Sequence, residues 1–216
     1  MSVTAHEAVL SALEEIDVSE FQATRDGWRD EISVALLDAV FSIRSRYDSP
    51  TPGKGVWGRV NTFRNQHADK LNDLKALEDL GEDAITDIMG ATQTAGRPKS
   101  QAVIEAAQAL QKAGIQRAGD ISEDTLGAAK AAYTGVHGLG WITFEYFLML
   151  LGKPGIKADT MIVRFVNSAL DAANLDRMDA RQANQLLKEV FRDHNQDHWG
   201  GLTSLDHAIW RFQRSR

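Results

Sequence analysis

The feature that most constrains this chain is the period of its apolar residues. Stretch after stretch places them three and four apart, and no segment sustains the alternation of period two that a half-buried strand requires. "TAHEAVLSALEEI" carries the pattern behind a Thr4 cap, with Glu7 placed to complete a capping box. "DGWRDEISVALLDAVFSIRSRY" reads as one long helix with a stripe through Ile32, Leu36, Ala39 and Val40. "VWGRVNTFRNQHADKLNDLKAL", "GEDAITDIMGAT" and "SQAVIEAAQALQKAG" follow, the last with Ser100 as its expected cap. "SEDTLGAAKAAYTGV" opens on a Ser122-led cap spanning 122–125. Further helices are expected from about Thr143 to Leu151 and from about Asp159 to Ala173, and then over "DARQANQLLKEVFRDHN" and "SLDHAIWRFQR". The expected fold class is all-α.

The 216 residues allow one domain or two small subdomains. "SPTPGKG" at 49–55 is the densest Pro/Gly loop. The break strong enough for a hinge is around 152–157, beginning at "GKPG". There is no cysteine, so disulfides and cysteine-ligated clusters are excluded. The first twenty residues hold Glu7, Glu14, Glu15, Asp17 and Glu20 with no Lys or Arg, unlike a secretory signal. The longest apolar run, near "FLMLLG", is too short for a bilayer. A cytoplasmic chain with no membrane partner is expected.

Net charge is −6, which on its own disfavours phosphate-rich partners. The distribution is uneven. Arg44, Arg46, Lys54, Arg59, Arg64 and Lys70 stand against only Asp48 and Asp69, while acids crowd residues 1–31 and 69–87. A basic face on an acidic protein is one reading; a mixed solvated surface is the other.

"GVHGLGWIT", 135–143, sits between two helical stretches. Glycines permit positive φ and leave backbone amides bare. Amides of such a turn, with those opening the next helix, suit an anion such as a DNA phosphate, a contact that reads backbone rather than sequence. A plain helix–helix turn is the bland alternative. About twenty residues on, "GIKADTMIVRF" sets Asp159 at a helix start, where it reads either as an N-cap or as an acid held for chemistry.

These two elements together, in "VHGLGWITFEYFLMLLGKPGIKADTMIVRFV" (136–166), resemble the helix-hairpin-helix DNA glycosylase superfamily, the relatives of endonuclease III and of the alkyladenine and oxoguanine glycosylases. A second, looser match is "VALLDAVFSIRSRY", 34–47, and the resemblance extends over roughly 30–170. It implies two helical subdomains with a cleft between them. A barrel of about 38–152 would end in the hairpin, and 1–37 with 153–216 would form the second. It places Asp159 as the catalytic aspartate in the cleft. Gly138, Leu139, Gly140, Trp141, Thr143 and His137 would contact DNA at the hairpin, with Thr143 as a plausible cap. Lys157, two residues before Asp159, would contact a phosphate or stand as a solvated lysine. Arg44 and Ser42 would face the cleft, Arg44 as the wedge, with Arg46 and Tyr47 next in line. Arg164, which falls on the family's arginine, would be buried and structural.

Family members that cleave the strand carry a Schiff-base lysine where this chain has Ile142. The iron–sulfur cysteines are also missing. The resemblance therefore implies a monofunctional glycosylase with no cofactor and no metal, acting as a monomer on double-stranded DNA with a damaged or modified base. A non-catalytic DNA-binding module and a helical protein-interaction domain are the alternatives. The chemistry suits Asp159, since breaking an N-glycosidic bond builds positive charge on the sugar and a carboxylate stabilises it. The base must leave the stack. Phe41, Tyr47, Trp57, Trp141, Phe144, Tyr146 and Trp199 are the aromatic candidates for pocket or wedge, each otherwise a core residue. His194 and His198 lie four apart but lack a third ligand. Arg211, Arg214 and Arg216 read as solvated.

Overall fold

The computed structural model describes residues 3–21, 27–194 and 197–215. Its elements, in order, are α1 (Ala5–Glu14), a 3-10 turn at Val18–Phe21, α2 (Ile32–Phe41), α3 (Gly55–Gln66), α4 (Leu74–Met89), β1 (Gln93–Thr94), β2 (Arg97–Pro98), α5 (Lys99–Lys112), a 3-10 turn at Ala118–Asp120, α6 (Glu123–Thr134), α7 (Trp141–Leu150), α8 (Thr160–Ala172), α9 (Ala180–His194), a 3-10 turn at Asp197–Trp199 and α10 (Leu202–Arg214). Among the described residues the protein is all-α apart from one two-stranded hairpin. In that hairpin Gln93 pairs with Pro98 and Thr94 with Arg97. Ala95 and Gly96 form its turn, both at positive φ, 48° and 79°, the geometry that matches a two-residue loop to strand twist. Among the described residues no helix is long and apolar enough to cross a membrane.

The chain divides into two compact units, Met1–Arg25 with Pro154–Arg216, and Asp26–Lys153. The amino-side division therefore falls at 25/26 and not at 37/38. The reason is α2, every residue of which is buried. A helix buried on every face belongs inside a core, and α2 packs against α3, α4, α5 and α7 of the central unit. Val34, Leu36, Leu37 and Val40 of α2 join Phe63, Leu77, Ile85, Val103, Leu110, Phe144 and Phe147 in one cluster. In the other unit α8 packs on α1, α9 and α10. Ile162, Phe165, Val166 and Leu170 there meet a core that includes Leu13, Leu187, Val190, Leu205 and Ile209, all buried.

Local chemistry sets several boundaries that periodicity misplaces. The early helix is not continuous from Asp26 to Tyr47. It starts at Ile32, after Asp30 takes φ 57°, and stops at Phe41, before Arg44 takes φ 49°. The single helix expected over 56–77 is broken after Gln66. Asp73 then caps α4 by accepting the amides of Lys75 (2.9 Å) and Ala76 (3.2 Å). Ser100 does not cap α5, which begins at Lys99; the Ser100 hydroxyl instead lies 2.9 Å from that of Thr86. The Thr4/Glu7 capping box forms as expected. At α6 the partner of Ser122 is Thr125, whose hydroxyl accepts the Ser122 amide at 2.8 Å.

Candidate functional site

Asp159 is the N-cap of α8. Its Oδ1 accepts the amides of Met161 (2.8 Å) and Ile162 (3.3 Å), and both bonds fall on that one oxygen. The side chain is half-buried. The segment leading into it is tied down on three sides. The buried Asn184 of α9 donates to the Ile156 carbonyl at 2.7 Å, the Gly155 amide meets the Thr203 hydroxyl at 3.4 Å, and the Lys157 amide donates to Asp206 Oδ1 at 2.8 Å. The Lys157 carbonyl in turn accepts the Asp159 amide at 2.6 Å.

Asp206 lies on α10 and is only 5% exposed. Burial pushes its carboxyl up to about 8; the Lys157 amide opposes the rise and the Asp159 charge adds to it. The neighbouring His207 is pushed down to about 4, first by burial and then by Arg211 and Lys157. Asp159 thus stands beside a second carboxyl and next to Lys157. Sequence reasoning missed Asp206: nothing in "SLDHAIW" distinguishes it from a surface acid on an amphipathic helix.

The hairpin belongs to the central unit. After α6 the chain turns through Gly138 at φ 86°, and a Cβ there would stand 3.0 Å from Ala95 Cβ and 3.3 Å from Thr94 Cγ2. Thr94 Oγ1 donates to the Gly138 carbonyl at 3.3 Å, and His137 Nε2 lies 3.3 Å from the Ala95 carbonyl. The β-hairpin therefore braces the turn. Gly140, by contrast, is extended at φ −131°, and an added Cβ would touch nothing. Only the first glycine is demanded by backbone geometry. Gly140, not Thr143, is the N-cap of α7; the Thr143 hydroxyl donates to the Gly140 carbonyl (2.8 Å) and accepts its amide (3.1 Å). His137 and Gly140 are exposed, Trp141 is half-buried, and Leu139 is buried and anchors the turn.

Ser42 and Arg44 share a turn but not an environment. The Ser42 hydroxyl donates to Asp38 Oδ1 at 2.9 Å, while Arg44 is exposed in the left-handed region. Asp38 is fully buried in α2 and is the hub of a polar cluster. Its carboxylate also accepts Trp28 Nε1 (2.8 Å), the Tyr47 hydroxyl (2.8 Å) and the Tyr146 hydroxyl (3.4 Å). Burial and then the Asp38 charge raise the Tyr146 phenol well above its ordinary range. Trp57 stacks on Trp28 at 5.0 Å. Of the aromatic candidates, Tyr47, Trp57 and Tyr146 thus gather around Asp38. Phe144 packs with Tyr133 (5.5 Å) in the core, and Trp199 is buried against Phe191 (6.1 Å). An open groove of about 390 Å³, lined by Asp48, Lys54, Trp57, Asn61, Thr62 and Asn65, runs along the start of α3. The signal for Asp38 was one acid inside an otherwise uncharged helix, with Ser42 one turn on.

From the other side the same turn is held by Lys99, a buried lysine. Its Nζ donates to the carbonyls of Phe41 (2.9 Å) and Ile43 (2.6 Å) and to Ser45 Oγ (2.8 Å). Burial lowers it to about 8.

Two expectations are corrected on burial. Arg164 is exposed, because its place on α8 lies off the stripe of Ile162, Phe165 and Val166. Arg211 is not simply solvated: it pairs with Glu20 Oε2 at 2.8 Å and also donates to the Glu20 carbonyl. The His194 ring lies 4.9 Å from that of His6, while His198 sits edge-on to Phe21 at 5.4 Å.

No curated protein and no solved structure matches the chain. One family model does, over residues 7–214. The chain belongs to the family described as Domain of unknown function (DUF8548).

Proposed function

We propose that this protein is a monofunctional DNA glycosylase that takes a damaged or modified base out of the duplex and hydrolyses its N-glycosidic bond. The observation that carries the reading is Asp159: a carboxylate at the amino end of α8, bound to two amides through Oδ1, with Oδ2 outside the cap. The residue resemblance over 136–166 puts a helix-hairpin-helix before it, and the left-handed Gly138 with the Gly140 cap of α7 supports a turn that offers amides to a phosphate. His137 and Arg44 are exposed at the positions expected to meet DNA.

In the reaction the bond between C1′ and the base nitrogen breaks, and its electron pair leaves with the base, which takes up a proton. Positive charge grows on the sugar. Asp159 stabilises it electrostatically and orients the water that adds to C1′, giving an abasic site and free base. With isoleucine at 142, no amine stands where the strand-cleaving relatives keep theirs, so the product is an uncut abasic strand.

The test is base release from duplexes carrying uracil, alkylated, oxidised and hypermodified bases, measured by mass spectrometry for the protein and Asp159→Asn. Release that the substitution abolishes supports the reading. DNA binding with a steep salt slope and no release from either protein replaces it with a non-catalytic binding module. No binding at all points to a helical protein-interaction domain.

A further inference from the structure

Asp206 is a buried acid of α10 whose carboxyl burial pushes up to about 8, and the chemistry proposed above gives it no part. It is 5% exposed and accepts the Lys157 amide at 2.8 Å, and the Lys157 charge offsets only part of the effect of burial. A carboxyl whose burial outweighs the nearby positive charge takes a proton instead of a charge. Its place is specific. Asp206 Oδ1 holds the Lys157 amide, and the Lys157 carbonyl holds the Asp159 amide, so a single residue links the two carboxyl groups through the backbone.

We propose that Asp206 is a positioning residue for Asp159: by holding the Lys157 amide, whose carbonyl holds the Asp159 amide, it fixes the 157–159 segment. This deepens the glycosylase reading and rests on it for the meaning of Asp159. An arginine or lysine at 206 would hold no amide, and an ionised aspartate would set like charge against Asp159 in a buried place. Asp206 with its proton avoids both. Lys157 and Asp159 face it from the segment before α8, and His207 adjoins it on α10. Arg211 is one turn on and is paired with Glu20 of the 18–21 turn. On the 197–199 turn, His198 lies edge-on to Phe21.

The experiment follows the carboxyl carbons by NMR from pH 5 to 10 in the wild type, Asp206→Asn and Asp159→Asn, with single-turnover base release over the same range. Asparagine keeps an acceptor for the Lys157 amide but cannot ionise. We expect the Asp206 resonance to titrate near 8, and the Asp159 resonance to show a second step at that pH that vanishes in Asp206→Asn. Release at pH 7 should stay within about twofold in Asp206→Asn, and fall on the order of tenfold in Asp206→Leu, which loses the acceptor. An Asp159 resonance indifferent to Asp206→Asn, or full activity in Asp206→Leu, overturns the proposal. Should the wild type release no base, the glycosylase reading falls, while the linked titration of the two carboxyls still decides the role of Asp206.

Discussion

Lys99 Nζ donates to the carbonyl of Ile43 at 2.6 Å, across 56 residues of sequence. With its bonds to Phe41 and Ser45 it closes the carboxy end of α2, where helix carbonyls have no partner of their own. On the other side of the turn, Asp38 takes the hydroxyls of Ser42 and Tyr47. The left-handed Arg44 sits between these two clamps. A non-glycine residue at φ 49° persists only where its surroundings over-determine it, and they do so here.

Lys99→Met should therefore cost about 3 kcal/mol, because buried carbonyls lose their donor. Urea denaturation checks this. A cost below about 1 kcal/mol would mean that the turn holds without the lysine.

The two hairpin glycines should behave differently. Gly138→Ala forces a left-handed alanine against Ala95 and Thr94 and should cost about 1–2 kcal/mol. It should also weaken DNA binding. Gly140→Ala has extended backbone and open space, so its stability should change by less than about 0.5 kcal/mol. Denaturation of both variants, with a salt titration of DNA affinity, separates the two positions.

Stability should fall as pH rises from about 6.5 toward 8, and Asp206 is the cause; close to 8 Lys99, lowered to about 8 in the folded state, adds a slope of opposite sign, because there the unfolded lysine holds the extra proton. Its folded carboxyl keeps a proton up to about 8, whereas in the unfolded chain an aspartate releases it near 4. The unfolded state thus binds fewer protons, and the slope is negative, up to about 1.4 kcal/mol per pH unit. Below 6.5 the effect is masked. His207, lowered to about 4 in the folded state, gives a slope of opposite sign between about 4 and 6.5, because there the unfolded histidine holds the extra proton. In Asp206→Asn the fall between 6.5 and 8 should disappear, and stability at pH 8 should exceed that of the wild type. Thermal melts across pH 5–8.5 test it; parallel curves for the two proteins would contradict it.

What the sequence made legible is what is local. Thr4 and Glu7 stand three residues apart and form their box; Asp159 caps a helix through amides two and three residues on. Gly138 announces a turn because no other residue suits its backbone. What stayed hidden depends on contacts between distant residues. Lys99 reaches carbonyls 56 and 58 residues away, and Asp206 binds an amide 49 residues back. Helical periodicity places each on an amphipathic helix and says nothing of the partner opposite. The early helix failed as a single element for the same reason: its apolar stripe continues beyond Phe41, but Lys99 supplies the stop. The β-hairpin was missed because two residues per strand are too few to show a period.

The central claim is that Asp159 acts on the sugar and does not merely cap α8. Asparagine is as good a cap as aspartate, so Asp159→Asn removes the charge and leaves the helix intact, whereas Asp159→Ala should also cost about 1 kcal/mol. The most direct measurement is single-turnover base release by the wild type and Asp159→Asn on a matched panel of modified duplexes, with melting temperature and DNA affinity recorded alongside. The account predicts release by the wild type, a loss of at least about 10²-fold in Asp159→Asn, and unchanged folding and binding. Release at the wild-type rate by Asp159→Asn, or no release by either protein, would contradict it.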